Sequence, residues 1–93
     1  MIESQVERAV CTYAESKGIL VRKLQWIGRN GAPDRFWAFN GVVCLVEFKR
    51  PGATPRPQQD REHARLRAAG LWVKVIDRID TGKAFVDAWT QKP

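Results

Sequence analysis

The chain has only two cysteines and one histidine in 93 residues. Cys11 and Cys44 fit no metal-ligand spacing. One falls in a predicted helix and the other in an apolar strand, so both read as small core residues. The single histidine, His63, sits on the inward side of a predicted helix and reads as structural. No apolar run is long enough to span a bilayer and no secretory h-region is present, which points away from a membrane protein and towards a cytoplasmic one with reduced thiols. Internal repeats, low-complexity tracts and an interdomain linker are also absent. Acidic residues are outnumbered: 16 Lys and Arg against 10 Asp and Glu leave a formal charge of +6. That excess favours a polyanionic partner, with nucleic acid the expected one.

Hydrophobic content of 44% with four Trp and four Phe indicates a globular chain. Its length suits one small domain, spanning residues 1–93, with a core small enough that oligomerisation would help it. The pattern predicts the order αβββαβα. Ile2 to Lys17 is helical, with Ile2, Val6, Ala9, Val10 and Tyr13 on one stripe and Gly18 as its stop. Ile19 to about Leu24 is a strand, and Gln25 to Ala32 is a loop. A second helix starts at Pro57, continues from Gln58 to Ala69 and stops at Gly70. Leu71 to Ile76 is a strand. Asp80 or Thr81 caps a last helix with an apolar face of Phe85, Ala88 and Trp89.

The informative stretch lies between. Arg35–Phe39 and Val42–Val46 are β-rich runs separated by Asn40-Gly41, the strongest short-range signal for a two-residue hairpin. Counting outward from that turn sets Phe39 opposite Val42 and Asp34 opposite Glu47. Opposed residues project from one face with Cβ atoms about 5 Å apart, and Lys49 shares that face. Like charges so placed repel, and a divalent cation between them resolves the conflict. Helical spacing adds Gln59, which shares a face with His63 and Leu66 and is aimed inward. Gln58, Glu62 and Arg65 fall on another face. In the first helix Glu3 and Glu7 both border the apolar stripe, and periodicity does not choose between them.

These residues resemble a known family. Pro33-Asp34 followed by Glu47-Phe48-Lys49, behind a helix with a flanking acid, is similar to the PD-(D/E)XK nuclease superfamily. Gly31–Arg35, Val46–Gly52, and Gln59 ahead of Leu66 and Gly70 resemble more closely its virus-type replication-repair nuclease (VRR-NUC) domain, over nearly the whole chain. The resemblance implies an α/β (α+β mixed sheet) fold: a restriction-endonuclease-like core of order αβββαβ with a C-terminal helix. It implies that Asp34 and Glu47 bind Mg²⁺ or Mn²⁺, together with the backbone carbonyl of Phe48 and with Glu7 directly or through water. It assigns Lys49, Gln59 and Glu7 catalytic roles.

The implied activity is metal-dependent cleavage of phosphodiester bonds in branched DNA, as a Holliday junction resolvase acting as a homodimer in a phage or bacterial host cytoplasm. The alternatives are a nuclease of the same fold with flap, nick or sequence preference, and a non-catalytic nucleic-acid-binding module. Arg29, Arg56, Arg35 and Arg50 are the expected DNA contacts. Trp26 could stack on a base, although a packing role is the simpler expectation.

Overall fold

A computed structural model describes residues 1–91. Among these the chain runs α1 (Glu3–Ser16), β1 (Leu20–Lys23), β2 (Arg35–Phe39), β3 (Val42–Phe48), α2 (Pro57–Ala68), β4 (Trp72–Ile76) and α3 (Ile79–Thr90). The element order is the one the sequence predicts. The four strands form one sheet in the order β1-β2-β3-β4, the first three antiparallel and β4 parallel to β3. A parallel neighbour cannot be reached by a tight turn, so α2 serves as the crossover between β3 and β4.

The Asn-Gly turn is two residues long. Asn40 has φ 52° and Gly41 φ 81°, the left-handed pair that matches the twist of the flanking strands. The register follows as counted: Phe39 pairs with Val42, Trp37 with Cys44 and Arg35 with Val46. One more step outward sets Asp34 opposite Glu47.

Strand alternation sorts the residues onto two faces. Trp37, Cys44, Val46, Phe48 and Ile76 point to one side and pack with Val6, Val10, Cys11 and Ala14 of α1 and Val86 of α3. Glu47 points to the other side, where α2 lies. Both cysteines are buried and free, as expected of small core residues.

Some boundaries differ from expectation. Ile2 is the N-cap of α1 rather than part of its buried stripe and is largely exposed. α3 begins two or three residues early: Arg78 is its N-cap, while Asp80 sits inside the first turn, accepting from Thr81 N–H. The early start lets Ile79 pack against the core. In that helix Phe85 and Trp89 are half-buried as expected, but Ala88 is exposed and Val86 takes the interior position. Trp72, at the edge strand β4, stacks edge-on against both Phe85 and Trp89.

Candidate active site

The hairpin delivers Asp34 and Glu47 to one place from opposite directions. Asp34 precedes β2, and its backbone carbonyl accepts from Leu24 N–H at 3.0 Å, which closes the base of the β1–β2 loop. Its Oδ2 accepts from the backbone N–H of Phe48 at 2.7 Å. Phe48 buries its side chain in the core, so only its backbone borders the site. Glu47 is 1% exposed. Its Oε2 accepts from Gln59 Nε2 at 3.0 Å and lies 3.5 Å from Lys49 Nζ. Lys49, itself 8% exposed, is held in place by its backbone N–H, which donates to Ile76.

Gln59 does two jobs with one amide. Its Oε1 accepts from the Arg56 N–H at the start of α2, and its Nε2 is thereby turned towards Glu47. The inward glutamine expected from helical spacing is therefore locked at both ends. His63, one turn further along α2, is 1% exposed, with Nε2 3.9 Å from Glu47 Oε1. Burial holds this imidazole below its ordinary pKa and hence neutral.

Burial dominates the electrostatics of both acids. Burial raises the Glu47 carboxyl to about 7, with the Asp34 charge adding to the rise and Lys49 opposing it. Asp34 is also raised, chiefly by burial and then by the nearby acids Glu7 and Glu3. Glu47 Oε1 is buried and has no hydrogen-bond partner among the described residues. An unpaired carboxylate oxygen in the interior is costly, and a second carboxylate facing it deepens the cost.

Hard divalent cations take such oxygens, so the donor set of Asp34, Glu47 and the Phe48 backbone fits Mg²⁺ or Mn²⁺. Among the described residues no group of three His, Cys, Asp or Glu side chains converges into a metal cluster. The side-chain part of the site is a carboxylate pair.

The helix acids divide. Glu7 is half-buried and accepts from Arg35 Nε at 2.7 Å, while Glu3 is exposed in the first turn of α1. Both charges are felt by Asp34. The same ion pair commits Arg35 to Glu7. Arg50 and Arg56 are exposed on the loop between β3 and α2. Arg29 is exposed on the β1–β2 loop, 3.6 Å from Glu62.

Glu62 is the residue that helical spacing misplaces. It is 6% exposed, and its carboxylate accepts from Trp26 Nε1 at 2.7 Å and from Arg65 Nε at 3.0 Å. Burial pushes its pKa up, but the Arg65 and Arg29 guanidiniums and the Trp26 indole outweigh it and hold the carboxyl below the ordinary value. The only signal available in advance was negative: the inner face of α2 offers just Leu66 as an aliphatic, so polar residues had to fill it.

No protein-family model matches the chain. A solved structure described as a VRR_NUC domain superposes with a TM-score of 0.85 at 35% identity, over 94% of this chain and 96% of that one. The chain belongs to the VRR-NUC nuclease family. A curated phage protein, "Putative nuclease p44" of Acyrthosiphon pisum secondary endosymbiont phage 1, is 42% identical over 79 residues, covering 84% of this chain and 85% of that protein. The mixed sheet with its three helices is thus a VRR-NUC nuclease fold. Among the described residues no helix is long and apolar enough to cross a membrane.

Proposed function

We propose that this VRR-NUC chain is a divalent-metal-dependent endonuclease that hydrolyses phosphodiester bonds in branched DNA, with the four-way junction as its preferred substrate. The observation that carries the reading is the carboxylate pair. Asp34 and Glu47 are set opposite each other by the Asn-Gly turn, with Glu47 Oε1 buried and unpartnered and Lys49 alongside.

Asp34, Glu47 and the Phe48 carbonyl would hold Mg²⁺ or Mn²⁺, with Glu7 assisting directly or through water. The chemistry a bound cation supplies is polarisation of the scissile phosphate and a lowered pKa of its water. The chain's own residues do the rest. Gln59 engages Glu47 Oε2 and so keeps Oε1 free for the cation. Lys49 places a compact positive charge where negative charge develops on the phosphate. The expected products carry 5′-phosphate and 3′-hydroxyl ends. The net charge of +6 supplies salt-sensitive attraction to the DNA backbone. Paired cuts across a junction need two active sites related by symmetry, so the working form is a homodimer.

The test is a panel of labelled four-way junction, flap and matched duplex DNA with Mg²⁺, Mn²⁺ or EDTA. Metal-dependent, symmetric cuts confined to the junction support the reading. Cleavage of flap or duplex in preference to the junction assigns another substrate. Tight binding with no cleavage under either metal makes the chain a binding module.

A further inference from the structure

The β1–β2 loop is built more firmly than a connection requires. Its base is closed by the bond from Leu24 N–H to the Asp34 carbonyl. Its middle is tied to α2 by Trp26 Nε1, which donates to the buried Glu62, with Arg29 flanking the same carboxylate. Gly31 lies so close to α2 that an added Cβ would meet Glu62 Cβ at 3.1 Å and the Gln58 carbonyl at 3.3 Å, at a φ of +93°. A glycine is required there for the loop to seat. This fixed loop holds up Ile27, which is 99% exposed, whereas the other large exposed apolar side chains reach at most 68%.

We propose that Ile27 is a wedge that inserts at the branch point of the DNA substrate, carried on the β1–β2 loop that Glu62 pins and that ends at Asp34. The inference rests on the branched-DNA reading above. An isoleucine held fully in water gains nothing in the free protein and gains by burial against bases. Apolar side chains pushed between base steps unstack and open them. A pinned loop inserts without first having to be ordered.

The surroundings favour DNA over a protein partner. Arg22, Lys23 and Arg29 are exposed on the same segment, and the segment ends at Asp34. A single projecting side chain also offers far less than the ~1,000 Å² that a stable protein interface needs.

The test compares wild type with Ile27→Ser and Ile27→Leu on two junctions, one fully paired at the branch and one with unpaired bases there. 2-Aminopurine at the branch reports unstacking, read with Ca²⁺ in place of Mg²⁺. The wedge predicts a fluorescence rise with wild type and Ile27→Leu that Ile27→Ser loses. It also predicts that Ile27→Ser lowers kcat/KM on the paired junction roughly tenfold to a hundredfold and recovers on the opened one. Equal activity of Ile27→Ser and wild type on the paired junction overturns the wedge. So does an equal loss on both junctions. A lower mass of Ile27→Ser by light scattering makes Ile27 a protein contact and overturns it too. If wild type neither binds nor cuts either junction, the branched-DNA reading itself fails and the wedge falls with it. Active wild type with unaffected Ile27→Ser removes the wedge alone.

Discussion

Replacing Glu47 with glutamine should change how the stability of the metal-free protein depends on pH. The Glu47 carboxyl rises from 4.5 to about 7 on folding, so the folded state holds this proton more tightly than the unfolded state. Stability from this group is greatest below about pH 4.5 and is lost as pH rises to about 7. A shift of that size corresponds to about 3 kcal/mol. The group is buried, so solvent screens little of it. Wild type in EDTA should therefore lose about 3 kcal/mol between pH 4.5 and 8 relative to Glu47→Gln, whose amide does not titrate. Added Mg²⁺ should recover stability in wild type at pH 8 by binding the folded state only, and should do nothing for the variant. Urea unfolding at four or five pH values, with and without metal, measures both effects. Parallel pH profiles for the two proteins in EDTA would refute the argument that burial, with the Asp34 charge adding to it, raises the Glu47 carboxyl on folding.

Further outcomes follow from other parts of the molecule. Cys11 and Cys44 are pushed up by burial to about 11 and about 12, so neither thiol should react with a disulfide reagent at pH 8 in the native protein, and both should react in urea. Tyr13 donates to Asp87 at 2.6 Å, joining α1 to α3. Tyr13→Phe should cost about 1 kcal/mol in urea unfolding and leave DNA cleavage at the wild-type rate. Gln59→Leu removes both the bond to Glu47 and the cap at Arg56. It should cost about 1–2 kcal/mol of stability and reduce cleavage with little change in DNA affinity by gel shift.

Much of the site was legible because it depends on local rules. Asn40-Gly41 selects a two-residue turn, the turn sets the register, and the register pairs Asp34 with Glu47 without reference to the rest of the fold. Gln59 and its inward direction came from helical spacing alone. Glu62 was not legible, because what buries it is Trp26 and Arg29, more than thirty residues away and on a loop without periodicity. The same holds for α3, where Ile79 and Val86 outcompete the capping preference of Asp80 and the small Ala88 because the core of α1 and the sheet lies on their side. The ion pair of Glu7 with Arg35 was not legible either, because Arg35 is a strand residue that helical spacing does not see.

If Asp34 and Glu47 are paired in order to share a divalent cation, calorimetric titration of Mn²⁺ into DNA-free protein should show saturable binding of at least one ion per chain in wild type. That binding should be lost in an Asp34→Ala variant that remains folded by circular dichroism. The same isotherm in both proteins would mean that the carboxylate pair does not hold the ion.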